Sequence, residues 1–522
     1  MTKLQSVNTT DIPAAIRLGC TTMGNVFNAD DHDVPYFRSV VYPEARLSFS
    51  ASFSDAHVPG RHLNALLTAE AVLGVAIPDE VIAKHARTAF SSYAGPVALP
   101  LNRDAVGGRL RRFLPHNIRE GFHALYALTR YRQSDQAQEL AERSIAAINR
   151  YWDSERGWDR TTLEGEMGLE VVGWDSPFVS GLARAIGPIV KYHRATGSPA
   201  ALDLAIRLKD SLLQLGFTAD GSYDLERLGH HTHSITCAMS SLAQLADLTH
   251  DADLMERVRA FYGRGLREIS DDLGWSIENG APEANPHRGE ANNTGDILET
   301  ALLLGKWGDP AGYHRAERIL RGHLLPSQLR DVSFIDQPPN PDGIDGLHDV
   351  ARRHVGAFGF PAPYGHHPLD YPVISFNMDI VGGAVASLCE AWREVARTED
   401  GQQRINLLFD YDSDALKIQT DDGSGRLHVQ TAGPGRLLVR IPPWVDNTEI
   451  AIDGWPGPNA VEDGYLVIDE RLARRGTTVA FRQREDEIVL EHRTRSIRTR
   501  LRGDTVTAMD NFGANLTFFD PL

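Results

Sequence analysis

The residues best suited to chemistry lie between Gly229 and Trp307, where polar clusters interrupt apolar helical sequence. The segment opens with GHHTHSITCAMSSLAQLADLT, passes through the loop GWSIENGAPEANPHRGEANN and closes with TGDILETALLLGKW. Asp296 and Glu299 are three residues apart, so they share one helix face beside leucines that a helix normally buries. Carboxylates in such a setting can transfer protons, and the segment therefore points to acid–base chemistry.

Glu290 is the first candidate for a catalytic acid, because it lies in a polar loop just before the second helix, where His287 and Arg288 can tune its pKa. Sugar-processing enzymes commonly use two carboxylates, one protonated to assist the leaving group and one ionised. A solvated loop glutamate is an equally weighted alternative. For Glu299, a catalytic role and a buried structural hydrogen bond remain open, whereas Asp296 is expected to stabilise the helix N-terminus.

GHHTHS places His230, His231 and His233 within one turn at a helix start. We expect them to form a polar pocket wall that binds sugar hydroxyls. HxH spacing alone is common and a metal site needs further ligands, so the sequence predicts no metal ion and no other cofactor here.

Two further polar loops precede predicted helices and are candidate substrate-binding rims. YGHHPLDYPVISFN contains His366, His367 and Tyr371, and GWDSPF contains Trp174 and Asp175. Aromatic rings beside polar groups hold sugars by stacking and by hydrogen bonds to hydroxyls. The competing interpretation is structural, as a satisfied loop or, for Asp175, a helix N-cap.

Near the N-terminus, FSDAHVPGRHLNALL places Asp55, His57 and Arg61 ahead of a predicted helix. Asp55 is a further candidate for substrate binding. A helix-capping role competes with it, as it does for Asp175.

Helical hairpins recur along the first 400 residues and predict a repeat architecture. Four copies begin at Leu125, Ile189, Leu242 and Leu302, each an apolar helix, a polar turn and an amphipathic helix. Further helical patterns at 63–74 and 379–397 bring the expected total to ten to twelve. Hairpins with apolar inner helices close into an (α/α)6 barrel.

After Arg397 the pattern changes to short segments of alternating hydrophobicity that predict eight strands. TEDGQQRI is interpreted as a polar connector. The expected fold class is multidomain α+β, with an (α/α)6 barrel over residues 1–399 followed by an antiparallel β-sandwich over 400–522. The sandwich is expected to pack against the barrel.

Composition excludes several classes of protein. The net charge of −17 disfavours nucleic acid, and no apolar run approaches the ~20 residues that span a bilayer. We interpret the first twenty residues as lacking a secretory signal, which favours the cytoplasm, and a homodimer is a reasonable assembly for this size. The cysteines form no CxxC pair and are expected to be small buried residues: Cys20, Cys237 and Cys389.

These motifs together resemble the β-L-arabinofuranosidase family, glycoside hydrolase family 127, whose members join an (α/α)6 barrel to β-sandwich domains. GHHTHS resembles the family's GHAVRA segment, RGE…DILETA its GE…YAETCA segment, and RLLVRIPPW…GYLVIDE its RIPxW strand followed by GYL. FSDAHVPGRHLNALL resembles DSDVxKWLEAA. The resemblance assigns Glu290 to the family's acid, Glu299 to its metal-binding glutamate and His230 to the histidine of GHAVRA.

The departures concern the thiolates of the family's zinc site. Ala301 stands where ETCA has cysteine, and Phe376–Asn377 stand where the family has a cysteine pair that includes its nucleophile. Cysteine and zinc chemistry is therefore not expected. Asp379 is the nearest carboxylate to the vacated position and a candidate base or nucleophile, with helix N-terminal stabilisation as its alternative.

The sequence thus predicts a metal-independent glycoside hydrolase acting on a carbohydrate, either short oligosaccharides or glycosides, including furanosides such as arabinofuranosides. Two alternatives stay open. One is a lyase or epimerase of uronic acids on the same barrel, for which His367 and Tyr371 could abstract protons. The other is a carbohydrate-binding protein without catalysis.

Overall fold

The computed structural model describes residues 2–173, 178–399, 401–421 and 423–522. Its longer helices are, in chain order, α1 (Ile12–Met23), α2 (Val58–Leu73), α3 (Asp79–Ser92), α4 (Ile118–Arg132), α5 (Asp135–Tyr151), α6 (Ile186–Thr196), α7 (Pro199–Leu215), α8 (Thr232–Thr249), α9 (Ala252–Gly263), α10 (Ala291–Lys306), α11 (Pro310–Ile319) and α12 (Met378–Val395). Short helices lie at Leu225–Leu228, Val350–Arg353 and Glu470–Arg475. No helix in these ranges is long and apolar enough to cross a membrane.

Six of these helices form a closed ring. Helix α2 packs against α4, then α4 against α6, α6 against α8, α8 against α10, α10 against α12, and α12 returns to α2. Helices α3, α5, α7, α9 and α11 each pack outside the ring helix that precedes them, and α1 packs outside α12. The ring helices are apolar on most faces because neighbours enclose them; residues 58–69 of α2, for example, are all buried. The four predicted hairpins are confirmed.

Short sheets that the sequence did not predict lie among the helices. One pairs Arg38–Tyr42 with Arg46–Ser48 and with Ile374–Ser375. Another contains Leu101–Arg103, Leu110–Phe113 and Glu170–Val171, and two-stranded sheets join Phe27–Asn28 to Val34–Pro35 and Trp152–Asp153 to Gly157–Trp158. Segments of two to five residues carry too little alternation to be recognised in sequence.

The described residues after Val395 form three sheets. The first has the strand order Ala396–Glu399, Gln402–Ile405, Leu437–Arg440, Tyr465–Ile468 and Ala460–Glu462. The second has the order Tyr411–Asp412, Leu416–Asp421, Arg426–Thr431, Thr477–Phe481 and Ile450–Ile452. The third is a meander of Glu485–Glu491, Ser496–Arg502 and Thr505–Met509.

Three details of the predicted sandwich were wrong. Strands Gln402–Ile405 and Leu437–Arg440 run parallel, so the first sheet is mixed rather than antiparallel. The segment interpreted as a connector forms part of a hairpin between Ala396–Glu399 and Gln402–Ile405. The sequence did not indicate this, because a half-buried edge strand needs no apolar alternation. The EIVLEH strand belongs to the separate third sheet.

A buried ion-pair network joins the helical part to the first C-terminal sheet. Glu317 of α11 accepts hydrogen bonds from Arg321 and from the N–H of Leu408, both at 3.1 Å. The same carboxylate pairs with Arg440, which lies on a strand of that sheet. All three charged side chains are buried, so the network holds the two parts in a fixed contact.

Replacing Glu317 with alanine is expected to destabilise the fold by about 3–5 kcal/mol, because two guanidinium groups would remain buried without their counter-charge. Denaturant unfolding followed by tryptophan fluorescence measures the loss. The control is Glu462→Ala, which removes the partner of exposed Arg436, and it should cost less than about 1 kcal/mol. Equal losses in the two variants would contradict the structural role of the network.

Candidate active site

The first turns of the six ring helices converge at one end of the ring. In none of these helices does an N-cap side chain accept a hydrogen bond from the first turn. Most outer helices, by contrast, have such a cap: Asp11, Ser134, Ser198, Asp251 and Asp309. Uncapped N-termini carry partial positive charge, so this end of the ring favours negatively charged groups. The polar side chains gathered there form the site cluster: His57, Arg61, His116, Arg119, Glu120, Arg184, His231, His233, Glu290, Asp296 and Asp379.

Glu120 is the electrostatic centre of the site cluster and is fully buried. Its Oε1 lies 3.1 Å from Arg61, 3.1 Å from Arg119 and 3.3 Å from Arg184. Burial alone would raise the pKa of this carboxyl, but His57 and the guanidinium groups outweigh it and hold the pKa well below its usual range. The ring therefore encloses an ionised carboxylate that binds three cations.

Four histidines form an arc beside this centre. The ring centroids of His57 and His116 are 5.4 Å apart and nearly parallel, those of His116 and His231 are 5.4 Å apart, and those of His231 and His233 are 5.9 Å apart. Burial, reinforced by nearby guanidinium charge, lowers the pKa of His231 to about 3 and that of His116 and His233 well below the usual value. These three imidazoles are neutral at ordinary pH, so each has one N–H donor and one acceptor nitrogen.

Glu290 occupies the N-cap position of α10 and is buried. Its Oε1 accepts a hydrogen bond from Asn292 at 2.9 Å and lies 3.5 Å from Nδ1 of His233. Burial raises the pKa of Glu290 to about 7, and the negative charge of Asp379 adds to this increase. A carboxyl with this pKa retains much of its proton at neutral pH and can act as a general acid.

Asp379, in the first turn of α12, has the opposite electrostatic environment. Its Oδ2 lies 3.2 Å from Nε2 of His57 and 3.4 Å from Nε of Arg61. Burial alone would raise the pKa of Asp379, but the His57 hydrogen bond and the Arg61 charge outweigh it and lower the pKa. Its Oδ1 is buried without a hydrogen-bond partner among the described residues, which leaves an ionised oxygen available for reaction.

Asp296 belongs to this site cluster rather than to the first turn of its helix, so the predicted dipole role was wrong. It is the sixth residue of α10, and no acidic residue lies in the first turn. Its carboxylate accepts a hydrogen bond from Thr236 at 3.1 Å and lies 3.4 Å from Nε2 of His233. Burial raises the pKa of Asp296 to about 6, although the Arg119 charge opposes the increase.

Glu299 lies one turn farther along the ring axis, away from the mouth. It accepts hydrogen bonds from Ser387 at 2.8 Å and from Ser240 at 3.1 Å. It also lines a cavity of about 330 Å³ at the C-terminal ends of the ring helices. This setting agrees with the predicted alternative of a structural hydrogen bond and does not place Glu299 beside Glu290.

One set of donors has the spacing of a metal site. His231, His233 and Glu290 each offer a ligand atom, all within 4.8 Å of one another. However, Arg61 and Arg184 approach the two ring nitrogens of His233 at 3.3 and 3.4 Å. A divalent cation bound here would meet two guanidinium charges, so the electrostatics disfavour it.

The zinc site of the resembled family does not fit this chain either. Ala301 is fully buried in the core, and the Phe376 ring packs against His354 and His366. Glu299, the expected metal ligand, is bonded to serines instead. Burial raises the pKa of all three cysteine thiols, which disfavours thiolate ligands.

Two predicted substrate-binding residues lie outside the site cluster. Asp55 accepts two hydrogen bonds from Arg103, at 3.0 Å from Nε and 3.1 Å from the main-chain N–H, which uses both of its oxygens. His366 is buried with its ring 4.9 Å from that of Phe518, and burial lowers its pKa to about 3. These contacts favour structural roles for both residues.

The remaining candidates divide into three groups. His231 and His233 belong to the histidine arc, whereas half-buried His230 accepts a hydrogen bond from the N–H of Gly280 through its carbonyl. His367 and Tyr371 lie half-buried together at the rim. The remaining two candidates lie outside the described residues: Trp174 and Asp175.

Sequence reasoning missed the residues that carry most of the charge in the site. Glu120 and its neighbours lie in LPHNIREGF, at the start of a helix whose pattern was followed only from Leu125. Arg184 lies within GLARAIGP, an apolar segment with one cation. Both segments carry the sequence signal that identified Glu290, which is a charged residue at the start of an apolar helix.

No protein-family model and no curated protein matches this sequence. Among solved structures, the chain is similar to a GH127 β-arabinofuranosidase, with a TM-score of 0.58 and 14% identity over 95% of this chain and 81% of that one. It is also similar to a GH127 β-L-arabinofuranosidase from Geobacillus stearothermophilus T6, with a TM-score of 0.52 and 15% identity over 95% and 80% of the two chains.

A third similar structure is a sugar epimerase from a ruminal bacterium, with a TM-score of 0.50 and 14% identity over 73% of this chain and 99% of that one. Identities this low establish the fold alone. The chain therefore has a fold shared with GH127 β-arabinofuranosidases, and the resemblance noted in the sequence is confirmed at that level.

Proposed function

We propose that this chain is a glycoside hydrolase in which Glu290 is the general acid and Asp379 is the second carboxylate. The proposal includes an (α/α)6-barrel domain over residues 1–399 and a β-sandwich domain over 400–522. The observation that carries it is a pair of buried carboxylates whose pKa values are shifted in opposite directions within one site. The similar glycoside hydrolase structures support the same class and a carbohydrate substrate.

Each carboxylate has a defined role in bond cleavage. Glu290 donates its proton to the glycosidic oxygen as the bond from that oxygen to the anomeric carbon breaks. Asp379 either attacks the anomeric carbon through Oδ1, which retains configuration after hydrolysis, or removes a proton from an attacking water, which inverts it. His231 and His233 line the proposed sugar-binding site, and short oligosaccharides or glycosides, including arabinofuranosides, are the proposed substrates.

Glu290→Gln is expected to lower kcat by about 10²–10⁴-fold, because the amide cannot supply the proton. The measurement is turnover of the best substrate from a panel of aryl glycosides and short oligosaccharides. Exposed Glu283 in the preceding loop provides the matched control, and Glu283→Gln should retain full activity. Full activity in Glu290→Gln would exclude Glu290 as the acid.

The pH profile of kcat/KM is expected to be asymmetric. The general acid must be protonated, so activity falls as pH rises through the Glu290 pKa of about 7. Asp379 must be ionised, and because its pKa is lowered, activity persists on the acidic side until below its usual titration range.

Asp296, with a pKa of about 6, provides the discriminating variant. The kcat/KM of Asp296→Asn should still fall as pH rises through about 7, which is the alkaline limb of the profile. If that variant loses the limb while Glu290→Gln keeps it, the acid is Asp296 and the assignment of Glu290 is wrong.

Chelators are expected to leave turnover unchanged, because the cysteine ligands of the resembled family's zinc site are replaced here and two guanidinium groups face the nearest alternative donors. Activity before and after EDTA treatment and desalting measures this. Loss of activity that added zinc restores would overturn metal independence.

A lyase or epimerase of uronic acids is the second candidate, favoured by the fold that this chain shares with a sugar epimerase. The predicted His367–Tyr371 pair does not support it, because His367 contacts the main-chain carbonyl of Tyr371. Deuterium incorporation into a uronic acid incubated in D2O would identify epimerisation, and a new ultraviolet-absorbing double bond would identify elimination. Neither should occur if the hydrolase proposal is correct.

A further inference from the structure

An aromatic patch lies at the rim of the site, outside the site cluster. Tyr42 is 46% exposed, and its ring centroid is 5.8 Å from that of His367. Nε2 of His367 lies 3.0 Å from the carbonyl oxygen of Tyr371, and the Arg288 guanidinium lies 5.2 Å from the Tyr371 ring centroid. We call these four residues the rim patch.

The rim patch borders the catalytic acid through Arg288, which is two residues from Glu290 in sequence. Burial lowers the pKa of Arg288, and the nearby Tyr371 and Glu290 side chains oppose this decrease, so both act on the same guanidinium. Arg288 also donates a hydrogen bond to Ser375 at 3.5 Å. The patch and the acid therefore share one charged side chain.

The strand that carries Tyr42 leads outward from the site. Phe37, just before the strand, lies 5.9 Å from the ring of His57. At about 3.4 Å per residue, Tyr42 is roughly 17 Å farther along the chain. Val40 and Tyr42 project from the more exposed face, and Val40 pairs with Ser375, the residue that Arg288 contacts. This face therefore adjoins the Glu290 loop while extending beyond it.

We propose that the rim patch is a second sugar-binding subsite that holds a further unit of an oligosaccharide, beyond the unit cleaved at Glu290. This inference rests on the proposed hydrolase function. The Tyr42 ring stacks on the apolar face of the sugar, while the His367 imidazole binds its hydroxyls. The preferred substrate is therefore an oligosaccharide rather than a monosaccharide glycoside.

The test compares Tyr42→Ala and Tyr42→Phe on two substrates, an oligosaccharide and the aryl glycoside of its terminal sugar. Tyr42→Ala should raise KM for the oligosaccharide about tenfold, with little change in kcat, because stacking contributes to binding of the distal unit only. Tyr42→Phe keeps the ring and should restore KM. The aryl glycoside does not reach the patch, so its kinetic constants should not change.

The control is Trp455→Ala, which removes another exposed aromatic ring, on the C-terminal part of the chain, and should change neither substrate. Equal effects of Tyr42→Ala on both substrates, or no effect on the oligosaccharide, would overturn the subsite. If the wild-type chain hydrolyses no glycoside, the hydrolase proposal fails. The subsite is then tested separately by measuring sugar binding. In that case Tyr42→Ala must weaken binding of panel oligosaccharides but not of monosaccharides, and unchanged oligosaccharide binding would overturn it.

Discussion

The site depends on the burial of one carboxylate among three guanidinium groups. Glu120 is enclosed by ring helices, and without its charge Arg61, Arg119 and Arg184 would repel one another in a medium that screens poorly. The close approach of α2 and α4 makes the pairing possible. A side chain at Gly60 would collide with the carbonyl of Glu120, so a glycine is required at this contact.

His57 and Arg61 determine which of the two carboxylates, Asp379 or Glu290, is more readily ionised. Arg61 lies 3.4 Å from Asp379, and His57 adds a hydrogen bond at 3.2 Å, so ionisation is favoured there despite burial. Glu290 has only the Asn292 amide within hydrogen-bonding distance and His233 at 3.5 Å, so burial decides its pKa. Because Asp379 is ionised, it also makes ionisation of Glu290 less favourable. Two carboxyl groups on adjacent ring helices thus acquire pKa values shifted in opposite directions, because His57 and Arg61 outweigh burial at Asp379, whereas burial prevails at Glu290.

The helical hairpins, the strands after Arg397 and the position of Glu290 and Asp379 at the starts of helices could be predicted from sequence because each leaves a local pattern. The charge network could not, since Glu120 and Arg184 are 64 residues apart and their pairing depends on ring closure. The partner of Asp55 could not be predicted for the same reason, because Arg103 lies on a short strand 48 residues away. Hydrophobic periodicity indicates which face of a helix or strand is buried, but it does not indicate which charged side chains pair there.

The positive charge in the site cluster comes from arginine side chains. The zinc site of the resembled family uses thiolates, and at the corresponding positions this chain has buried Ala301 and Phe376. Arginines on α2 and α4, with Arg184 just before α6, supply cationic charge without metal ligands, and the uncapped ring helices add to it. The His57 hydrogen bond and the Arg61 charge therefore favour the ionised form of Asp379 in a buried site. The vacated thiolate positions are then free to pack as core, as Phe376 does between His354 and His366.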